Sequence, residues 1–257
     1  MPESKPHEQP TTPKRRSLWR SWSLRTLFVF VAICALAAAW ASYQLRLGQL
    51  HKEVAENLRQ LGAMAGEIRA EKVYLGPIAI SITDKRQAWL KALGVEDATT
   101  RTGRVVLYER SKGERLENTI DELSRLDWFK HLSLYGCPMD QAQLARLLEN
   151  TNVDTLYLEG MKVDRSGIPC LRDTKVKWLL LARTQFSDPG IDDLPISLEY
   201  LDATRTRISD EGLDKFVRLT NLKVLILRRT PATGEGIERL REKMPQCRIA
   251  WEPLKQP

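Results

Sequence analysis

An apolar pattern that repeats along the second half of the chain constrains the fold more than any other feature of the sequence. Two apolar residues separated by one position recur at intervals of 22–24 residues, at Leu132 and Leu134, Leu156 and Leu158, Leu179 and Leu181, Leu201 and Ala203, and Leu225 and Leu227. Further apolar residues align three positions before each pair, and seven and fifteen positions after its first member. Composition alone does not align so many columns, so each segment is expected to contribute the same elements to one shared core.

Polar residues mark the turn that follows each apolar pair. Thr184, Thr206 and Thr230 stand five positions after the first leucine of their segments, where a small hydroxyl side chain can bond the backbone of a turn. Ser-Asp-Pro-Gly at 187–190 and Ser-Asp-Glu-Gly at 209–212 have the composition of a helix start, because Ser and Asp accept from free N–H groups and the acid lies at the positive helix end. Each segment is therefore predicted to be a short strand, a turn and a helix.

This unit and its period are typical of leucine-rich repeats, which are roughly 20–29 residues long. A single unit cannot bury its apolar side, so units stack into a continuous core. We therefore predict an α/β solenoid of five to six leucine-rich repeats of 22–24 residues, which occupies residues 127–257 and ends in a closing strand.

Residues 73–126 are predicted to form an N-terminal cap or a degenerate repeat, because the first full unit would otherwise expose its apolar side. If Val105 and Leu107 are the strand pair of a degenerate unit, Ile120 falls at the same fifteen-residue offset as in the later units. The strands expected here are Val73–Ile82 and Arg104–Tyr108. The expected helices are Ala88–Leu93 and Ile120–Leu126.

The N-terminal segment predicts a membrane helix. Thr26–Tyr43 contains 18 residues without a charge, close to the lower length limit for spanning the hydrocarbon layer. Two interpretations stay open. The length of the segment and its flanking aromatic residues favour an uncleaved signal anchor over residues 26–43, whereas Ala39-Trp40-Ala41 resembles the cleavage site of a signal peptide. The flanking aromatic residues are Trp19, Trp22, Trp40 and Tyr43.

The distribution of charge sets the expected orientation. The formal net charge is +7, and residues 1–43 contribute six basic and two acidic residues to it. The basic residues precede the apolar segment, so residues 1–25 are predicted to be a disordered cytoplasmic tail, with a single span in the cytoplasmic membrane and the body exported to the periplasmic side. The rest of the chain carries 34 basic and 31 acidic residues, and this near balance argues against nucleic-acid binding.

Residues 44–72 are predicted to form a helical stalk with apolar residues at heptad spacing. One interpretation is a short coiled coil through which the chain forms a homo-oligomer, with Asn57 setting the register. The other is a helix packed on its own domain, or a spacer next to the membrane. Glycines within the segment weaken the coiled coil, since each costs roughly 1 kcal/mol in a helix. The two heptad columns are Leu47, Val54, Leu61 and Ile68, and Leu50, Asn57 and Met64.

The sequence lacks the motifs that a catalytic site would need. His7, His51 and His131 are the only histidines, and no motif places a nucleophile beside any of them. No zinc-binding helix motif, phosphate-binding loop or dinucleotide fingerprint occurs, so we expect no enzyme activity, no cofactor and no metal. The recurring Asp residues of the helix starts are attributed to capping rather than to calcium. Small buried side chains are expected for the cysteines beyond the apolar segment, which are Cys137, Cys170 and Cys247.

The strand face opposite the core is the candidate binding site. Side chains alternate along a strand, so the residues that flank the two core positions of each unit point to a concave face. Tyr and Trp, which dominate binding hot spots, are frequent in these columns. Two alternatives remain, because aromatic residues also simply suit strands and because the cap could fold over this face. The residues selected are His131, Tyr135, Tyr157, Trp178, Tyr200, Asp202 and Arg228.

The unit x-x-L-x-L-x-x-T-x-I-S-D-x-G-L resembles short bacterial repeats related to those of F-box-type leucine-rich proteins. The layout from about residue 22 to residue 251 resembles a planctomycete family of membrane-anchored leucine-rich-repeat proteins. The resemblance lies in Trp22–Leu27 at the entry to the membrane segment, in Trp89–Gly94 as a cap helix, and in Met244–Ile249 with Trp251 as a closing strand. The first two units depart from the pattern, with glycine in place of the usual polar residue. The resemblance implies a fold and a membrane topology rather than an activity.

The expected function is therefore a membrane-anchored scaffold that binds a protein or a cell-envelope component through the concave strand face. The alternative is a structural spacer of the envelope that self-associates through the stalk. A cytoplasmic adaptor, which the F-box-like repeats would fit, conflicts with the expected export of the body. An envelope hydrolase is disfavoured because no acid–base constellation is present.

Overall fold

The computed structural model describes residues 24–61, 63–67, 71–75, 78–82, 102–108, 113–163 and 167–254. The chain divides into two compact units, Met1–Tyr43 and Gln44–Pro257. Almost all of the predicted tail over residues 1–25 lies outside the described residues, as does the predicted helix Ala88–Leu93.

Helix α1 spans Leu24–Gln60 and contains the whole of the predicted membrane segment. The first part of the helix is apolar, and its large side chains are exposed, among them Phe28, Ile33 and Trp40. Its length and composition would allow it to cross a membrane, and a signal sequence near an N-terminus would have the same properties. The secondary structure is continuous through residue 43, so the predicted boundary between span and stalk is not a break in the helix.

The described strands of the body form an eight-stranded sheet and a separate two-stranded sheet. The strands are β1 (Met64–Glu67), β2 (Glu71–Leu75), β3 (Ile78–Ile82), β4 (Thr102–Tyr108), β5 (Trp128–Tyr135), β6 (Asn152–Tyr157), β7 (Trp178–Leu180), β8 (Tyr200–Asp202), β9 (Val224–Thr230) and β10 (Arg248–Pro253). Strands β4 to β10 pair in parallel with their neighbours in sequence, and β1 pairs antiparallel with β4 at one edge. β2 and β3 form a separate antiparallel hairpin.

Helical segments connect the parallel strands from β4 onward, because parallel neighbours need a crossover rather than a tight turn. Each crossover after β4 to β9 supplies the buried apolar residue that the sequence places fifteen positions after the first core residue. The described segments are α2 (Glu114–Ser124), α3 (Gln141–Asn150), the 3-10 helices Pro169–Leu171 and Asp188–Asp193, α4 (Asp210–Leu213) continued by the 3-10 helix Asp214–Arg218, and α5 (Gly234–Lys243).

The register of the parallel strands reproduces the alignment of the repeats. Leu132 lies opposite Leu156, which lies opposite Leu179, and the same column continues through Leu201 and Leu225. All five side chains are fully buried. Val105 and Leu107 of β4 extend the core columns by one strand, opposite Leu132 and Leu134. β4 therefore contains the predicted strand Arg104–Tyr108 and pairs in the same register as the later strands.

The predicted stalk differs from the structure. The helix ends at Gln60, and residues 64–67 and 71–72 of the predicted helical segment 44–72 belong to strands β1 and β2. Val54, Ala55 and Leu58 are buried in the same core as the first strands of the sheet.

Two polar contacts fix this helix end against α2. Asn57 Nδ2 donates to Glu122 Oε2 at 3.2 Å, and Arg125 Nη2 lies 2.8 Å from Glu53 Oε1. The end of α1 therefore packs on its own domain, as a helix that caps the first unit would. This packing fits the second of the two interpretations of the segment.

The threonine column forms the turns as expected. The hydroxyls of Thr184, Thr206 and Thr230 donate to backbone carbonyls three residues earlier, at 2.7, 2.7 and 3.0 Å. These three side chains are buried, so the bonds satisfy hydroxyl groups that cannot form hydrogen bonds with water. The prediction that this column bonds the turn backbone is confirmed.

The acidic column joins neighbouring units instead of capping its own helix. Asp188 accepts from the backbone N–H and the hydroxyl of Ser209 at 2.9 and 2.6 Å. Asp210 accepts in the same way from Thr233 at 2.7 and 2.6 Å. A Cβ atom on Gly212 would overlap the Asp188 carboxylate, which explains why the helix starts carry glycine. Ser209 caps the start of α4, as predicted, and Thr233 caps the start of α5. Ser187, which was also predicted to cap, makes no side-chain cap bond to the 3-10 helix that follows it.

Candidate functional site

The residues that alternate with the core leucines line one side of the sheet, which we call the open face. Tyr157 of β6 is half-buried here, and Tyr135 at the end of β5 is 50% exposed. The side chain of Arg228 on β9 is exposed. The half-buried open-face residues of β7, β8 and β9 are Trp178, Leu180, Tyr200, Asp202, Val224 and Ile226. The open face is therefore mainly aromatic and aliphatic at its centre.

Trp178 and Tyr200 form a stacked pair at the centre of the open face. Their ring centroids are 4.9 Å apart and their planes differ by 12°. The pair forms because Trp178 lies opposite Tyr200 in the parallel register, so both side chains leave the sheet in the same direction. Such a pair contributes about 0.5–1.5 kcal/mol beyond its area of burial. Fully buried Leu179 and Leu201 lie next to the pair in the sequence and support it from the core.

Polar groups surround the Tyr200 hydroxyl. Burial, aided by the charge of Asp202 and by Tyr157 and opposed by Arg228, raises the pKa of Tyr200 to about 12. Tyr200 is therefore a neutral hydrogen-bond donor at physiological pH. Asp202 Oδ1 accepts from the backbone N–H of Thr204 at 2.9 Å, which holds the carboxylate at the end of β8.

Five of the predicted site residues thus lie together on four neighbouring strands. We call Tyr157, Trp178, Tyr200, Asp202 and Arg228 the aromatic patch. The sixth, Tyr135, lies on β5, two strands away from the stacked pair.

His131 was predicted to lie on the binding face, but its side chain is buried. The side chain is only 7% exposed, and its Nδ1 has no hydrogen-bond partner in the described part of the chain. Burial, with the charges of Lys130 and Arg104, lowers the pKa of His131 to about 4. Alternation along the strand predicts the side of the sheet correctly but carries no information about what covers that side at one end.

A positive φ recurs at one position of each unit, beside the open face, and was not predicted from the sequence. The residue four positions after the first core leucine has a positive φ in every unit from β5 to β9. The first two of these residues are glycines, and the other three are Arg183, Arg205 and Arg229, with φ of 59°, 57° and 55°. The signal was present in the aligned units, since this column holds two glycines followed by three arginines.

The open face combines aromatic, polar and charged groups. Among the residues that the structure describes, no group of three or more His, Cys, Asp or Glu side chains is placed to hold a metal ion. The cysteines are free thiols, and burial raises the pKa of Cys137 and of Cys247, the latter to about 11. What the face offers is a supported aromatic surface, a neutral phenol donor, one carboxylate and guanidinium groups.

Comparison with known proteins places this architecture beside two solved structures of low similarity. A leucine-rich-repeat protein of Leptospira interrogans aligns with a TM-score of 0.39 and 16% identity, covering 62% of this chain and 38% of that chain. An internalin from Listeria monocytogenes aligns with a TM-score of 0.38 and 18% identity, covering 53% of this chain and 39% of that chain. This chain therefore spans well under half the length of either protein. No protein-family model and no curated protein matches the sequence.

Proposed function

We propose that this protein is a leucine-rich-repeat scaffold that binds a protein partner or an envelope component through the aromatic patch. The observation that carries the proposal is the stacked pair of Trp178 and Tyr200, half-buried in the middle of the open face. Aromatic residues on a supported surface, with arginine beside them, are the residue types that dominate binding hot spots.

The support beneath the patch strengthens the proposal. Rigid side chains lose little entropy when a partner binds, so a preorganised surface retains more of its contact energy as affinity. Leu179, Leu201 and Leu225 behind the patch are fully buried, and parallel pairing fixes the strands that carry it. The repeat register itself supports a solenoid of at least five units, because each aligned segment supplies one strand and one crossover.

We further propose that the N-terminal part of α1 anchors this scaffold in the cytoplasmic membrane with the body exported. The support is the charge-free segment Thr26–Tyr43, which is helical and exposed, and the excess of basic residues before it. Exposed apolar side chains of this number are costly in water and favourable in lipid.

The anchoring proposal predicts membrane retention together with export. A reporter that is active only outside the cytoplasm, fused after Pro257, is expected to be active and to sediment with the membrane fraction, because the span is not cleaved. Activity that appears in the soluble fraction would mean a cleaved signal peptide. An inactive fusion in a stable, full-length product would contradict export and favour the cytoplasmic adaptor.

The binding proposal predicts a contact at the aromatic patch and not on the helical side. With the photoreactive residue p-benzoylphenylalanine in place of Tyr157 in the full chain, illumination in the membrane is expected to give a discrete adduct. The same residue in place of the exposed Glu242 on α5 serves as the control and is expected to give none. Trp178→Ala should reduce the adduct roughly tenfold or more, because hot-spot aromatic residues contribute about 2 kcal/mol or more.

A fold control accompanies this measurement. Trp178→Phe retains an aromatic ring in the stack and should restore most of the adduct. Equal yields from the two crosslinking positions, or a yield that Trp178→Ala leaves unchanged while the protein stays folded, would contradict binding at the patch.

A further inference from the structure

Three consecutive units place arginine in a backbone conformation that costs free energy. Arg183, Arg205 and Arg229 have φ near +57°, in the left-handed region where a Cβ atom approaches the following carbonyl. The equivalent positions of the two preceding units are Gly136 and Gly160, which adopt this conformation without that cost. The turn therefore accepts glycine within this same chain, and its geometry gives no reason for arginine in the last three units.

The arginines are held in a row at regular intervals. Arg183 and Arg205 follow β7 and β8, and Arg229 is the last residue but one of β9, so all three lie at the carboxyl edge of the sheet. Adjacent strands are about 4.8 Å apart. The N–H of Arg183 donates to the carbonyl of Thr204, and that of Arg205 donates to the carbonyl of Arg228, both at 2.9 Å. These bonds fix the conformation in which each side chain leaves the backbone. We call Arg183, Arg205 and Arg229 the arginine row.

The charge of the row is only partly neutralised. Arg183 Nε lies 3.7 Å from Glu159 Oε1, whereas no salt bridge is formed by Arg205 or Arg229 among the residues that the structure describes. Arg205 is exposed and Arg229 is half-buried. Exposed Arg228 lies directly before Arg229 and belongs to the aromatic patch, so the row and the patch are adjacent in the sequence at the end of β9.

We propose that the arginine row binds the carboxylates of an acidic segment of the partner protein that contacts the aromatic patch. This inference rests on the proposed binding function and specifies the chemistry of the partner. A guanidinium group forms paired hydrogen bonds to a carboxylate, and residues held in a strained conformation are typical of functional sites. An acidic polypeptide segment fits better than a nucleic acid, because residues 44–257 carry nearly balanced charge, 34 basic against 31 acidic.

The test measures binding of labelled poly-L-glutamate to the full chain in detergent. The variant is Arg205→Gly with Arg229→Gly, which removes two charges and relieves the backbone. The matched control is Lys175→Gln with Lys177→Gln, which removes two charges at exposed positions before β7, at the opposite edge of the sheet. We expect the arginine variant to bind roughly tenfold more weakly and with a smaller salt dependence, and the control to change binding by no more than about twofold.

A stability measurement shows whether the variant loses binding only because it is less well folded. The midpoint of thermal unfolding of the glycine variant is expected to equal or exceed that of the parent, because glycine suits the conformation. Equal losses of binding in the variant and the control would overturn the proposal. Tighter binding of dextran sulfate than of poly-L-glutamate would also overturn it, in favour of a polysaccharide partner.

The outcomes separate this inference from the proposed function. A crosslinked adduct at the aromatic patch that the glycine variant leaves unchanged would overturn the role of the row and leave the patch intact. Loss of poly-L-glutamate binding in the glycine variant, without any adduct at the patch of the parent, would support the row and contradict the proposed function.

Discussion

Leu58→Ala is expected to lower the free energy of unfolding of the body by roughly 2–5 kcal/mol, as large-to-small substitutions in a core do. Leu58 is fully buried near the end of α1, in the same core as Val105 and Leu107 of the first parallel strand. Its removal leaves a cavity between the helix and the open end of the stack. Chemical denaturation followed by circular dichroism in detergent measures the loss.

Leu61→Ala is the matched control for this prediction. Leu61 lies on a heptad column of the predicted coiled coil but is only half-buried, whereas Leu58 lies on neither column. If the end of α1 caps the stack, Leu61→Ala should lower the free energy of unfolding much less than Leu58→Ala. A larger effect at Leu61, accompanied by a fall in the molecular mass measured by sedimentation, would contradict the cap and favour a self-associating stalk.

Acidification is expected to destabilise the body through His131 by up to about 3 kcal/mol, since each unit of pKa difference corresponds to about 1.4 kcal/mol. The pKa of His131 is lowered from 6.5 to about 4 in the folded state, so the folded protein binds this proton less readily than the unfolded chain. The contribution is therefore fully favourable above pH 6.5 and is lost as the pH falls from 6.5 towards 4.

The measurement is the free energy of unfolding of the parent and of His131→Gln at several values of pH. The side chain of Gln does not titrate, so the difference between the two proteins isolates His131 from the carboxylates that protonate lower in the same range. We expect the variant to lose less stability than the parent over this interval. Parallel curves for the two proteins would mean that His131 is hydrated or paired in the folded state, contrary to its buried position.

The repeating part of the fold is predictable from the sequence because each unit repeats the same physical requirement. Leu156, Leu179 and Leu201 are spaced by one strand, one turn and one crossover, so their alignment in the sequence becomes their register in the sheet. The threonine turns were predictable for the same reason, since a buried hydroxyl needs a nearby acceptor. The strand around Val105 was also predicted, and it pairs in the same register as the later strands.

The cap was less predictable because one apolar pattern has two solutions. A stripe at heptad spacing suits another helix as well as the end of a sheet, and Leu58 lies outside both heptad columns. Which of the two the helix packs on depends on Glu122 and Arg125, which bond to the helix end and lie more than sixty residues away in sequence. Contacts at this separation leave no local periodicity.

The candidate site was predicted in composition but not in geometry. Alternation along the strands placed Trp178, Tyr200 and Asp202 on one face, and the parallel register brings the two rings into a stack. His131 obeys the same alternation and is nevertheless buried, because burial depends on what covers the face. The positive φ of Arg205 was missed because propensity favours glycine there.

The carboxylates that join one unit to the next give the stack a direction and make it extensible. Asp188 reaches forward to Ser209, and Asp210 reaches forward to Thr233, so every junction of this kind needs an acid from the preceding unit and a hydroxyl from the following one. A duplicated segment running from Asp188 to Ser209 would carry both halves and would recreate the same junction on each side. The number of units can therefore change by whole repeats, lengthening the open face while both ends of the molecule stay as they are.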